Sequence, residues 1–285
     1  MNKIAVVVDS GLDLPEEYKK EDVFVLPLKV VRDGITYLDG VTISPLQVAE
    51  ELLDPKNTHE YKTSLVAPGE VSDFLETVKE KGYTQVIAIS ISSGLSGTYN
   101  AFVTGAQTVN DLEVEVIDTL SIGVGAGLHA VAAVDLIAAG NDFVTTVKIL
   151  RDNISKSKVY FCVGTLEFLI KGGRIGKVTG FVGKVLNLKP VITCDFEGIY
   201  STVAKVRGRL QGLNHIVDLI VENFKNYPHI YVGVANCSQP EDLEYVKNEI
   251  SKKLNNIDRL FTGVISPALT VHAGPLLIGI TAYPK

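Results

Sequence analysis

Residues 90–99 read Ser90-Ile91-Ser92-Ser93-Gly94-Leu95-Ser96-Gly97-Thr98-Tyr99, a run dense in hydroxyl side chains. It follows an apolar strand-like segment and precedes a helical one. Backbone N–H groups at the helix start and several hydroxyls therefore converge on one space, an arrangement that suits an anionic oxygen of a phosphate or a carboxylate. The ordinary alternative is that Ser96 only caps the helix. Lys62-Thr63-Ser64 places a second hydroxyl pair ahead of a helix starting near Pro68, where such pairs are usually caps. Asp9-Ser10 closes the first strand, at the edge where open α/β sheets place their binding crevice. His272, in Val271-His272-Ala273-Gly274-Pro275, lies between two apolar strand-like segments. Thr63, Ser93 and His272 are all expected in strand-end loops lining one crevice.

Several chemistries lack their signatures. A hydrolase elbow needs Gly-x-Ser-x-Gly, and the second glycine is misplaced after Gly94-Leu95-Ser96. A Walker loop needs Gly-Lys-Ser/Thr, which is missing. Gly123-Val124-Gly125-Ala126-Gly127 continues with Leu128 and lies inside a helical pattern, so close helix packing explains it better than a dinucleotide fingerprint. His59, His129, His215 and His229 have no ligand spacing to one another, and no metal or other cofactor is expected. Cys162, Cys194 and Cys237 sit far apart in apolar segments and read as small buried hydrophobes.

The elements that must position these residues alternate between strand-like and helix-like patterns, the mark of an α/β fold. Strands are expected over residues 4–8, 23–31, 85–90 and 112–118, with helices over 68–81, 97–110 and 121–139. This is a parallel-sheet pattern and defines an N-terminal α/β domain, residues 1–157. From residue 158 the style changes. A strand over 159–163 leads by a short helix to Lys171-Gly172-Gly173-Arg174. A hairpin over 189–206 turns at Asp195-Phe196-Glu197-Gly198. The helix over 208–225 carries Leu210, Leu213, Val217, Ile220 and Phe224 on one stripe. Strands over 230–235, 258–265 and 276–282 flank a helix over 240–254. These form a C-terminal α/β domain, residues 158–285, with an extensive interface and the ligand between or near the two domains.

The chain has 285 residues, 46% hydrophobic, with a net charge of −6 and a pI near 5.5. It can bury a large core, and its acidity argues against nucleic-acid binding. The short apolar run before Asp9 suits a buried strand better than a leader or a span, so a cytoplasmic protein without stable membrane insertion is expected. Between Lys171 and Arg209, eight basic residues face two acids, Asp195 and Glu197. That stretch is either ordinary surface or a docking face.

Taken in order, Asp9-Ser10, Asp13-Leu14, Thr63-Ser64, residues 92–99, Lys171-Gly172-Gly173-Arg174-Ile175, Leu188-Lys189-Pro190, Lys205-Val206-Arg207 and His272-Ala273-Gly274-Pro275 resemble the DegV family over essentially the full length. The resemblance implies a lipid between two α/β domains, in a bacterial fatty-acid-binding protein that is not itself an enzyme. It implies an acyl carrier that presents the carboxyl group to a separate fatty acid kinase subunit, which makes an acyl phosphate. Carried onto matching positions, Thr63 or Ser64, Ser92 or Ser93, and His272 hold the carboxyl, with backbone N–H near Gly97. Arg174 and Arg207 lie near the kinase contact. The sequence departs from the family pattern at Gly11, Val66, Thr119 and Leu276; the last three bear on pocket shape. The competing readings are a hydrolase using Ser93 or Ser96 with His272, and a small phosphate- or nucleotide-binding module built on the Ser/Gly loop.

Overall fold

The computed structural model describes residues 3–178 and 188–285. Runs of β-branched residues build a parallel sheet from β1 (Ile4–Asp9), β2 (Val23–Leu26), β6 (Gln85–Ser90) and β7 (Glu113–Asp118), in the order β2-β1-β6-β7. Val6, Val7, Val8, Ile87 and Ile89 are all buried, as expected of central parallel strands covered on both faces. The helix α2 (Pro68–Glu80) starts with Pro68 in its first turn and buries Val71, Leu75 and Val78 along one stripe. Beside it lies α3 (Thr98–Ala106). The helix α4 (Val124–Ala138) is buried nearly all round because it lies between two sheets, touching β1 and β6 on one side. A Cβ on Gly127 would sit 2.4 Å from the Leu12 carbonyl oxygen, so the glycine run serves close packing. The helix α5 (Phe143–Ile154), capped by Asp142, follows; sequence patterning had not assigned it.

A second, small antiparallel sheet, β4-β3-β5, contains β3 (Lys29–Arg32), β4 (Ile35–Leu38) and β5 (Tyr61–Ser64), with α1 (Pro45–Leu53) between the last two in sequence. The single strand expected over residues 23–31 is therefore two strands in two sheets. Pro27 lies between them, where a residue without an N–H interrupts a ladder.

The third sheet has six strands: β8 (Lys158–Cys162), β9 (Leu188–Cys194), β10 (Tyr200–Arg207), β11 (Ile230–Asn236), β12 (Ile257–Val264) and β13 (Ile278–Pro284). Their order is β10-β9-β8-β13-β11-β12, and only β11 and β12 pair in parallel. The helices α7 (Arg209–Phe224) and α8 (Pro240–Lys253) pack on this sheet, and α4 also touches its β11 and β13. Of the expected α7 stripe, Leu213, Val217, Ile220 and Phe224 are buried but Leu210 is exposed. The short helices α6 (Glu167–Lys171) and α9 (Pro267–Ala273) complete the set. Asp135 on α4 fastens the layers, accepting hydrogen bonds from Tyr18 at 2.9 Å and Tyr231 at 2.7 Å. Among the described residues no helix is long and apolar enough to cross a membrane.

Candidate functional site

The Ser/Gly loop is built around Ser92. Its hydroxyl is fully buried, donates to the Gly198 carbonyl at 2.8 Å and accepts from the Gly94 amide at 3.1 Å. Its carbonyl accepts from the Leu95 and Ser96 amides, both at 3.1 Å. The hairpin between β9 and β10 therefore locks onto the loop, and a Cβ on Gly94 would meet the Glu197 carbonyl oxygen at 2.7 Å. Ser92 thus shapes the site from behind. Ser93 is exposed, and its amide is held by Asp118 Oδ1 at 3.2 Å. Ser96 accepts weakly from the Thr98 amide at 3.3 Å, and its hydroxyl lies 2.8 Å from that of Thr98. The N-cap position of α3 is Gly97.

His272 lies in the last turn of α9 and not in a strand-end loop; Pro267 in the first turn and Gly274 at φ 86° bound that helix. Thr63 lies within β5, so it too differs from the expected loop position. These two side chains, 209 residues apart, meet with Thr63 Oγ1 2.7 Å from His272 Nε2. His272 Nδ1 is buried without a hydrogen-bond partner. Burial, with the nearby Arg174 guanidinium, pushes the His272 pKa down to about 4, so the ring is neutral at pH 7. Arg174 donates from Nη1 to the Gly172 carbonyl at 2.6 Å and from Nε to that of Leu95 at 3.3 Å.

Three cavities adjoin one another here. An outer cleft of about 380 Å³ is lined by Ser93, Gly94, Ser96, Gly97, Gly173 and Arg174. Behind it, a pocket of about 80 Å³ collects Thr63, Ser64, Ser96, Thr98, Arg174 and His272 on a wall otherwise apolar. The two share Leu65, Leu95, Ser96 and Arg174. Deeper still, a cavity of about 30 Å³, apolar but for Asp13 and Tyr200, lies between Ile122–Val124 and the faces of β8 and β11. Ile122, Tyr200 and Leu269 line both inner cavities and divide them. A polar mouth thus gives onto an apolar interior, the layout of a site for a ligand with one charged end.

Across the same sheet edge lies a cavity of about 510 Å³ lined by Asp9, Asp13 and Asp39. Its carboxylates are largely occupied by backbone and hydroxyl donors. Asp9 accepts from the Gly11 and Ile91 amides at 2.9 Å each. Asp39 accepts from the Ala268 amide at 2.9 Å and the Ser10 hydroxyl at 2.5 Å, and Asp13 from the Ser266 amide at 2.9 Å. Burial raises Asp9 to about 7 and Asp39 to about 6. Asp13 and Asp39 fasten the start of α9, the helix that carries His272.

The structure gathers Thr63, Ser64 and His272 in one pocket and puts Ser93 and Gly97 on the adjoining cleft. Arg174 lines both, whereas Arg207 is exposed at the end of β10 and lines neither. Sequence reasoning had not assigned Ser96, Thr98 or Tyr200 to the pocket. Thr98 was legible as part of the hydroxyl run, but nothing marks Tyr200, which reads as an ordinary strand residue. Of the eight basic residues between Lys171 and Arg209, Lys184 lies outside the described residues. Lys177 is paired with Asp195 and Glu197, Arg209 with Asp242 at 2.6 Å, and Lys189 donates to the Gly164 carbonyl at 2.6 Å. The three cysteines are free thiols, and burial pushes Cys162 and Cys237 up to about 12, far from reactive thiolates. Among the described residues no group of three or more His, Cys, Asp or Glu side chains is arranged to hold a metal ion.

The DegV family model matches residues 3–285. The chain belongs to the DegV family. A DegV domain-containing protein of Clostridium acetobutylicum is 35% identical over 289 residues, covering all of both chains. Among solved structures, a DegV family protein from Thermus thermophilus, described for its fatty acid binding, superposes with a TM-score of 0.92. It is 26% identical, covering 99% of this DegV chain and 100% of that one. DegV from Bacillus subtilis, described as a fatty acid binding protein, gives 0.89 at 26% identity with both chains fully covered. A stearic acid-binding protein from Eubacterium ventriosum gives 0.87 at 28% identity, covering 100% of this chain and 99% of the other. The mixed α/β architecture, with its parallel sheet and second mixed sheet, is that of these DegV structures.

Proposed function

We propose that this protein binds a long-chain fatty acid and presents its carboxyl group to a separate, ATP-using fatty acid kinase subunit. The observation that carries the reading is the Thr63–His272 pair at the junction of a polar cleft and an apolar interior. The fatty-acid-binding character of the structural neighbours supports it. Thr63, Ser64 and His272 hold the carboxyl group, with Ser93 and the backbone N–H near Gly97 on its outer side. Arg174 offers the compensating charge, because His272 is neutral at pH 7. A charge-assisted hydrogen bond contributes roughly 1.5–3 kcal/mol, and each buried methylene about 0.8 kcal/mol, so the tail dominates affinity. The inner cavities are smaller than the roughly 300–1,000 Å³ usual for ligand sites. Threading the tail requires Ile122, Tyr200 and Leu269 to part. Docking on the kinase uses Arg174 and Arg207, the first shared with the carboxyl pocket.

A hydrolase would direct His272 Nε2 at a serine; here it meets Thr63, and Nδ1 has no carboxylate to orient it. Native mass spectrometry of freshly purified protein tests the reading. A fatty-acid adduct is expected, whereas a nucleotide adduct would favour the phosphate-binding alternative. Mixed with the kinase and ATP, the protein is expected to yield acyl phosphate; alone, it should turn over neither ATP nor an ester.

A further inference from the structure

The inner cavity should be apolar throughout if its only task is to house a hydrocarbon tail, and it is not. Tyr200 is 6% exposed, with its ring edge-on to Phe161 at 5.0 Å. It lines both inner cavities, and its hydroxyl makes no hydrogen bond among the described residues. Asp13 lines the inner cavity too. Its Oδ1 is held by the Ser266 amide, while Oδ2 is buried without a partner beside Gly123. Asp13 also adopts φ 44°, a strained backbone for a residue other than glycine. Buried polar groups without partners are few in folded proteins, and each calls for an explanation. A plain methylene chain would cover both groups and leave both unpaired.

We propose that the inner cavity recognises an oxygen function on the acyl chain, and that the preferred ligand is a fatty acid bearing a hydroxyl or keto group part-way along its tail. The inference rests on the fatty-acid reading above and names its substrate class. The Tyr200 hydroxyl donates to the ligand oxygen, and Asp13 Oδ2 is its second partner. Burial raises both pKa values above their ordinary ranges and so favours the neutral form of each group. Selectivity of this kind is strong in principle, because a site built to pair a ligand oxygen is left with unpaired polar groups by the analogue that lacks it. The placement also separates duties: Thr63 and His272 hold the reacting carboxyl, and Tyr200 and Asp13 set the depth at which the tail is recognised.

The test is isothermal titration of delipidated protein with octadecanoic acid and with a series of monohydroxy-octadecanoic acids differing in hydroxyl position. One positional isomer is expected to bind roughly 10-fold more tightly than the parent acid, equivalent to about 1.4 kcal/mol. Tyr200→Phe removes no hydrogen bond within the described protein, so it should fold, and its ratio of isomer to parent affinity should fall most of the way to one. Parent binding with no isomer preferred, or an isomer preference unchanged in Tyr200→Phe, overturns the proposal while leaving the fatty-acid reading standing. Failure of every acid to bind overturns both. Asp13→Asn, which keeps an acceptor for the Ser266 amide, gives a second check: it should alter the isomer preference more than the parent affinity.

Discussion

Two histidines in this molecule share nearly the same immediate chemistry and serve different ends. His129 on α4 lies 2.9 Å from the Ser157 hydroxyl through Nε2, and its Nδ1 is buried without a partner. His272 on α9 lies 2.7 Å from the Thr63 hydroxyl through Nε2, and its Nδ1 is likewise unpartnered. Burial lowers both, to about 3 and about 4, and keeps both neutral at pH 7. The difference lies in what surrounds them. His129 is wholly buried between two sheets, packed edge-on to Tyr283 at 4.9 Å, and lines no cavity described above. His272 opens on a pocket with Arg174, Thr98 and Ser96 along the wall. A hydrogen-bonded neutral imidazole is thus a packing unit in one place and, on the proposed reading, a ligand group in the other, and the cavity marks the difference.

The largest expected effect separates them by pH. A histidine whose folded pKa lies below its unfolded value costs stability as pH falls, starting near 6.5 and complete below about 3 for His129. A shift of that size corresponds to about 5 kcal/mol. Denaturant unfolding across this range should show wild type losing that much relative to His129→Leu, while fatty-acid binding at pH 7 is equal in the two proteins. If the His129→Leu and wild-type stability curves stay parallel, the burial argument is wrong.

The converse substitutions come next. Thr63→Val and His272→Ala should change unfolding free energy by less than about 1 kcal/mol, since they line a cavity and not the core. Kinase-dependent acyl phosphate formation should fall roughly 100-fold, because the reacting oxygen is no longer held in place. Fatty-acid affinity, carried mostly by the tail, should fall no more than about 10-fold. Equal losses of affinity and phosphorylation would mean that the pair binds without positioning.

Asp39 tests the anchoring of α9 itself. Its folded pKa is raised to about 6, so the stability linked to its protonation is present below about 4 and lost as pH rises through 6. Asp39→Asn, which mimics the protonated acid, should match wild type at pH 4 and exceed it by up to about 3 kcal/mol at pH 8. The smallest effect is expected at Arg207, exposed and far from either histidine's surroundings. Arg207→Ala should leave fatty-acid affinity intact and slow association with the kinase, with a weaker dependence on salt because surface charges are screened within about 10 Å at 0.1 M. Equal association rates at every salt concentration would make it plain surface.

The regular elements were legible because their patterns are local. The valines of β1, the Val71-Leu75-Val78 stripe of α2 and the buried run of β11 each announce their period. The small sheet was not. Its strands are four residues long and β4 is mostly exposed, so neither length nor alternation marks it. Yet that sheet delivers Thr63. The Asp142 cap of α5 and the Ser266-Pro267 start of α9 were readable signals that were not weighed. The carboxyl-pocket residues were approachable through order along the chain and family resemblance. Asp13 stood in the ordered motifs without a role, and Tyr200 at the inner cavity was not marked at all, because an unpaired hydroxyl is a property of the assembled neighbourhood and leaves no trace in spacing.

The position of β13 bears on how such a protein comes into being on the ribosome. It is the last described strand in the chain, yet it occupies the sheet's interior, between β8 and β11. Until it is synthesised, β10-β9-β8 and β11-β12 are separate ribbons with open edges, the kind that invite mispairing with other chains. The helix bearing His272 directly precedes it, and Thr63 must wait for a partner 209 residues downstream. A nascent chain can fold its parallel sheet early, but Thr63 and His272 come together only after α9 has emerged, and the two ribbons join only through β13. On the proposed reading, lipid present during translation would meet a receptive chain only after both α9 and β13 have emerged, and not while the parallel sheet stands alone.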